Sequence, residues 1–386
     1  MLGFAPLFVL LSATALASQS RDLSLGLSLL HGAEENLVLS PTGVATALAL
    51  VQSGARGETG RQLEAVLGYS MQNRTVRLAL RKVLRKLAVP TEQAPLGFAT
   101  AMFLQEDFNL TRRFESVARK IFNAVPLTVD FGEPQTAVDT INRWIEKKTK
   151  GLVEDFATED QIDPEMTRLF LASAVYFKGI WKTPFSSKRT HLQPFTTASG
   201  EVVQVPTMVV TGAMLRHGMF QAGQDLIYRV LQIPYKDDTA SMIIVLPVSG
   251  SLNELQPLIV NATPRDWIHD LQAEPLTVLL PRFRVESDLD LKAGLETLGV
   301  RAIFDYGKAD LSLISNNPEP LFVSKVFQRA VVEVNEDGTE AAAATGVVIT
   351  ARSSLPTFTV DRPFLFLIWH HATDAVLFLG KVQNPK

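Results

Sequence analysis

The stretch from Phe170 to Lys178 constrains the fold more than any other part of the chain. It reads Phe-Leu-Ala-Ser-Ala-Val-Tyr-Phe-Lys, almost wholly apolar, and Gly179 closes it. Side chains of a strand alternate between two faces, so a strand apolar on both needs protein above and below it. The chain is therefore expected to hold a doubly covered strand at the centre of a larger sheet. Two more apolar runs, Phe364 to Trp369 and Ala375 to Leu379, joined by His370 to Asp374, predict a C-terminal pair of buried strands.

Helical and strand signals alternate along the rest. Leu23, Leu27 and Leu30 have the spacing of a short amphipathic helix. Asn36 to Leu39 reads as a brief buried strand. Ser40-Pro41 then opens a helix that is apolar over Val44 to Val51 and ends at Ser53 to Gly57. Asp139 to Lys150 predicts a helix with Ile141, Trp144 and Ile145 inward, stopped by Gly151. Alternation predicts strands around 201–211 and 226–234, and Asp237-Asp238 a turn before Met242 to Leu246. Thr277 to Leu280 with Phe283 and Val285 predict one further strand, and Leu289 to Leu298 a helix ending at Gly299. No internal repeat or low-complexity linker divides the chain. The pattern predicts one mixed α+β domain over residues 18–386, long enough for a large core.

Residues Leu2 to Ala17 are apolar or small, and Ala15-Leu16-Ala17 fits a small-x-small cleavage site. Residues 1–17 are therefore expected to be a secretory signal peptide, and the mature protein to be extracellular. Asn73, Asn109 and Asn261 each begin an Asn-x-Thr triplet, so they are candidate glycosylation sites. There are no cysteines, which removes disulfides and thiolate chemistry. A net charge of −3 gives no reason to expect a nucleic-acid partner.

One segment is strongly basic. Arg74, Arg77, Arg81 and Arg85 follow helical spacing with Lys82 and Lys86 beside them, and no Asp or Glu occurs from Ala65 to Thr91. This predicts a docking face for a heparin-like glycosaminoglycan; the alternative is a plain solvated face. Catalytic apparatus is missing. The sequence holds no G-x-S-x-G elbow, Walker loop, H-E-x-x-H or dinucleotide fingerprint, and nothing calls for a metal or cofactor. His370-His371 and His269-Asp270 are expected to be turn and helix-surface residues.

Glu336 to Pro356 has a different character. It passes from an acidic turn at Gly338 through Thr339, Glu340 and four alanines, Ala341, Ala342, Ala343 and Ala344, to Val347-Val348-Ile349 and a lone Arg352 before Ser353. Alternate positions from Thr339 are Thr339, Ala341, Ala343, Thr345, Val347 and Ile349, all uncharged and mostly small. On a strand they would share one face that could be buried without stranding a charge. The alternative is an alanine-rich surface loop or short helix.

Several separated stretches together resemble the serpin family, most closely its plasminogen activator inhibitor and protease nexin branch. Asn36 to Pro41 and Gly54 to Thr59 are similar to the family's second helix and the turn after it. Ile141-Asn142, Trp144-Ile145 and Thr149 to Gly151 resemble the helix across the main sheet. Ala174 to Gly179 with Trp181 and Phe185 resemble that sheet's central strand. Ile233 to Tyr235, Ser241-Met242, Leu246-Pro247, Pro281, Phe283, Leu298-Gly299, Ala309 to Leu311 and Asp361 to Phe366 fit as well.

The resemblance implies three β-sheets, eight or nine helices and an exposed reactive-centre loop at about 336–356. It implies a hinge at Glu336 and Gly338 to Ala344, and a bait bond Arg352–Ser353, fourteen residues beyond Gly338. The function implied is a monomeric suicide-substrate inhibitor of trypsin-like serine proteases that prefer Arg. The loop inserts into the main sheet and traps the protease covalently. The chain is then no enzyme and binds no membrane; the alternative is a non-inhibitory carrier or chaperone of the same family. The resemblance also gathers Ser40, Ser173, Gln328 and Trp181 into a cluster where the sheet opens. The family usually has Asn at position 173 and His at position 328. This departure predicts a tendency to slip into an inactive inserted form.

Overall fold

The computed structural model describes residues 21–88, 96–124, 126–236, 238–336 and 355–386. The expected signal peptide, the hinge from Gly338 onward and the Arg352–Ser353 bond lie outside these residues. From the start of the described chain run α1 (21–30), β1 (Leu37–Leu39), α2 (Pro41–Gln52), α3 (Gly57–Leu67), α4 (Arg74–Leu87), β2 (Leu96–Gln105) and α5 (Arg112–Val117). A π-helical turn (Ala118–Phe122) leads to β3 (Leu127–Val129), α6 (Pro134–Thr149), β4 (Leu169–Phe177), β5 (His191–Thr196), β6 (Val202–Ala222), β7 (Leu226–Pro234) and β8 (Ala240–Pro247). The chain continues through α7 (Leu252–Leu258), α8 (Pro264–Asp270), β9 (Gln272–Pro281), β10 (Phe283–Asp290), α9 (Lys292–Thr297) and β11 (Lys325–Val334). It closes with β12 (Thr357–Thr359), β13 (Phe364–His370) and β14 (Ala375–Val382).

The Phe170 run is the central strand that its composition demands. β4 lies in a five-stranded sheet of order β10-β11-β4-β2-β3, antiparallel to β2 and parallel to β11. Every β4 side chain is buried except Tyr176, which is half-buried. On one face lies α2, all of whose residues are buried; Ser40 caps it by accepting from the Gly43 amide at 3.1 Å. On the other lies α6, with Ile141 and Ile145 fully buried and Trp144 edge-on to Phe103 at 5.9 Å. That helix begins at Pro134, a turn before the Asp139 expected, because Pro134 suits a first helical turn. Its last residue is capped by Lys150 in the left-handed region, not by Gly151.

The remaining strands form one hydrogen-bonded network, β1-β14-β13-β8-β7-β6-β9-β12, with β5 added on β6. Two of the three expected sheets are thus joined, because β6 is one long ribbon. Its first part pairs with β5, its last part with β7, and β9 runs beside both. The strand expected to stop near residue 211 instead passes a register shift between Val210 and Ala213, where Gly212 has φ 73°, and continues to Ala222. The single strand expected over Thr277 to Val285 is two: the chain changes sheets at Arg282, so β9 and β10 share no pairing partner. Leu289 and Asp290 belong to β10, which shortens α9 to Lys292–Thr297. None of the described helices is long and apolar enough to cross a membrane.

Candidate functional site

The seam between β4 and β11 is the feature to which the separated motifs converge. The two strands are direct parallel neighbours from Lys325↔Phe170 to Val332↔Phe177, with no strand between them. Midway along it Gln328 and Ser173 are register partners beneath the start of α2. The Gln328 side chain is fully buried. Its Nε2 donates to Ser173 Oγ at 3.0 Å and to the Ser40 carbonyl at 3.1 Å, and its Oε1 accepts from the Ser40 amide at 2.7 Å. One amide side chain thus ties β11 to β4 and both to α2. The site has no room to spare: a Cβ on Gly43 would lie 2.6 Å from Ser173 Oγ and 2.9 Å from Gln328 Nε2. With glutamine here and not an ionisable side chain, the clasp carries no charge at any pH.

Trp181 does not join this clasp. It sits at the end of the seam where β11 leaves the sheet, its Nε1 donating to the Asn335 carbonyl at 2.8 Å. Its ring stacks on Tyr235 at 4.7 Å and 12°, and Phe177 meets Tyr235 edge-on at 4.9 Å. Gly179 makes that stack possible, since a Cβ there would fall 2.4 Å from the Tyr235 ring. Burial pushes the Tyr235 hydroxyl well above its ordinary value, so it stays neutral.

Glu336, the last described residue before the loop, is held at this mouth. Its carboxylate accepts from Thr190 Oγ1 at 2.5 Å and pairs with Arg282 Nε at 3.4 Å; its side chain is only 13% exposed. Beside it Glu333 accepts from Asn335 Nδ2 at 2.7 Å and pairs with Lys178 at 3.2 Å. Sequence reasoning missed Thr190, Arg282 and Glu333. Only Arg282 left a trace, as a cation interrupting apolar strand residues just where the chain changes sheets.

The basic segment is helical as expected, but its cations divide. Arg74, Lys82, Arg85 and Lys86 are exposed. Arg77 turns back onto the carbonyls of Met71 and Gln72 at 2.7 and 3.0 Å, and Arg81 is half-buried. Asn73, Asn109 and Asn261 are all exposed. Asn73 also caps α4, its Oδ1 accepting from the Thr75 amide at 2.8 Å.

A five-stranded sheet with a parallel central seam, a buried helix behind it and a chain that leaves at the seam's mouth define a class of protein. The chain belongs to the serpin (serine protease inhibitor) family, whose profile matches residues 21–385. It is 36% identical over 353 residues to glia-derived nexin of Homo sapiens, covering 91% of this chain and 88% of that protein. It is 35% identical over 354 residues to plasminogen activator inhibitor 1 of Mus musculus, covering 91% and 87%. A solved structure of native protease nexin-1 with heparin matches with a TM-score of 0.89 at 34% identity, covering 97% of this chain and 100% of that one. These relatives support an inhibitor of serine proteases rather than a hydrolase.

Proposed function

We propose that the protein is a secreted suicide-substrate inhibitor of trypsin-like serine proteases, cut at Arg352–Ser353. The observation that carries this reading is the direct parallel pairing of β4 and β11 with Glu336 at its mouth. A strand that reverses after Glu336 runs antiparallel to β11, and therefore antiparallel to β4 as well. Its insertion exchanges one parallel ladder for two antiparallel ones, which are slightly better per residue. Thr339, Ala341, Ala343 and Thr345 can occupy the inward positions without burying a charge.

Reach supports the same reading. The ten residues of β11 span about 33 Å, whereas residues 337–352, fully extended, span about 53 Å. Arg352 is then carried past the far end of the sheet. The protease serine attacks the Arg352 carbonyl carbon, and the bond to the Ser353 nitrogen breaks. That nitrogen leaves protonated, and an ester joins the two proteins. Insertion before hydrolysis drags the ester, and the protease, across the sheet. The Arg352 guanidinium suits the carboxylate at the base of a trypsin-like pocket.

Incubation with trypsin or urokinase tests the proposal. An SDS-stable complex is expected, and the nicked form is expected to resist heat better than the intact one. Clean cleavage after Arg352 with no complex would instead support a carrier or chaperone.

For α4 the proposal is a heparin-like glycosaminoglycan, bound through Arg74, Lys82, Arg85 and Lys86. The solved protease nexin-1 relative was crystallised with heparin, which supports this assignment. Heparin affinity is expected to fall with salt and with Lys82→Ala and Arg85→Ala; indifference to both removes the assignment. Glycans on Asn73, Asn109 and Asn261 and removal of residues 1–17 complete the proposed mature form.

A further inference from the structure

Between α4, α6 and β2 lies a cavity of about 580 Å³, within the roughly 300–1,000 Å³ of small-molecule sites. Its charged lining is cationic: Arg81 and Arg85 from α4, Arg119 and Lys120 from the π-helical turn, and Lys148 from α6. Arg119 is paired with Glu115 at 2.7 Å. Among the described residues the other four have no carboxylate partner, and no Asp or Glu lines the cavity. Thr46, Thr100 and Asn123 add neutral polar groups, and the remaining lining is apolar, with Leu50, Leu84, Phe98, Phe122 and Trp144 contributing.

Two further observations mark the cavity as a site. Among the described residues, four buried side-chain polar atoms have no hydrogen-bond partner. Two of them, Arg81 Nε and Thr100 Oγ1, belong to residues lining this cavity. Folded proteins ordinarily satisfy such groups, and an orphaned pair in one cavity asks for an acceptor from outside. The lining also takes Arg119 to Phe122 from the π-helical turn Ala118–Phe122, a rare geometry that recurs at functional sites.

We propose that this cavity binds an amphipathic carboxylate of the long-chain fatty-acid class. The carboxylate is held at the Arg81 guanidinium amid the cations that lack a carboxylate partner, with Thr100 as a further donor. The hydrocarbon covers the Leu50 and Phe122 surface and the part of Trp144 not covered by Lys148, whose Nζ lies 5.6 Å from the ring centroid. A sulfated polysaccharide matches the outward cations Arg74, Lys82 and Lys86 but has nothing apolar to lay on Trp144.

Oleate titrated into the full chain tests this, read by calorimetry and by tryptophan fluorescence. Saturable binding is expected. Trp144→Phe should remove most of the fluorescence change and leave the heat. Arg81→Met, which keeps the apolar stem, should weaken oleate at least tenfold. Thr100→Val, nearly isosteric and relieved of an orphaned hydroxyl, should weaken it severalfold while keeping the thermal midpoint; it decides the matter alone if Arg81→Met fails to fold. Arg74→Ala and Lys82→Ala should lower heparin affinity and leave oleate unchanged. The proposal is overturned if oleyl alcohol binds as tightly as oleate. It also fails if Thr100→Val and a folded Arg81→Met both keep the parent affinity, or if only heparin binds.

Discussion

Ser173→Ala isolates one bond of the clasp. Neighbouring strands lie about 4.8 Å apart, and a strand inserted between β4 and β11 moves them to about 10 Å. The Gln328–Ser173 hydrogen bond of 3.0 Å exists only while the seam is closed. The bonds from Gln328 to Ser40 do not cross the seam and can survive opening. Losing the Ser173 hydroxyl removes one buried bond and leaves one Nε2 hydrogen without an acceptor, together worth about 1–2 kcal/mol against the closed form. With 1.4 kcal/mol per tenfold, spontaneous opening should become about 5- to 30-fold more frequent. The assay is residual inhibition of trypsin against incubation time at 37 °C, with the heat-resistant fraction measured in parallel. Ser40→Ala is the control. Its hydroxyl caps α2 by accepting from Gly43, so it should cost about 1 kcal/mol of global stability without shortening the active lifetime. A Ser173→Ala protein that loses activity no faster than its parent would refute the claim that this bond must break before the sheet opens.

Other consequences follow from the mouth and from buried charge. Glu336→Lys sets a cation against Arg282 and leaves the Thr190 hydroxyl without its acceptor; a loss of about 1–3 kcal/mol is expected in urea denaturation. Thr339→Arg should leave cleavage after Arg352 intact but convert inhibitor to substrate, seen as loss of the SDS-stable complex, since insertion would bury an unpaired charge. Burial raises the Asp22 carboxyl from 3.8 to about 7. The folded form therefore holds this proton longer than the unfolded one, so stability should fall as pH rises from about 4 to 7 and level off above. The loss is on the order of 4 kcal/mol for complete isolation from water, and less here because Asp22 keeps part of its surface in solvent. Asp22→Asn should flatten that slope in denaturation measured at pH 4 and pH 8.

Composition alone made β4 legible, because a run apolar on both faces has one home in a sheet. The C-terminal strands β13 and β14 were legible for the same reason. Where patterning and topology part, reading failed. The alternating pattern was read only to about residue 211, yet β6 passes the irregularity at Gly212 and continues because β7 and β9 pair with its second half. Thr277 to Val285 reads as one strand, and only tertiary pairing reveals that the chain changes sheets at Arg282. The helix α3 went unread because Gly57 and Gly60 weaken its propensity; Thr59, Leu63 and Leu67 bury its inner face all the same. At the site, Ser40, Ser173 and Gln328 were gathered by family resemblance, since residues so far apart in sequence leave no local signal of contact. Trp181 was placed with them wrongly: resemblance supplies membership of a region, and only coordinates separate the clasp from the mouth. The six cations of α4 looked equivalent because helical spacing cannot show that Arg77 folds back or that Arg81 points inward.

The clasp at Gln328 sets a timer as well as a lock. Under the proposed mechanism the active form is stored above its ground state, and the same few bonds delay both accidental relaxation and the useful stroke. Tightening them extends shelf life but slows the race against ester hydrolysis, letting the protease escape. Loosening them quickens the trap and shortens the time for which it stays set. A medicinal variant of this protein would therefore be tuned at Ser173 and Gln328 for the ratio of those two rates, not for stability alone.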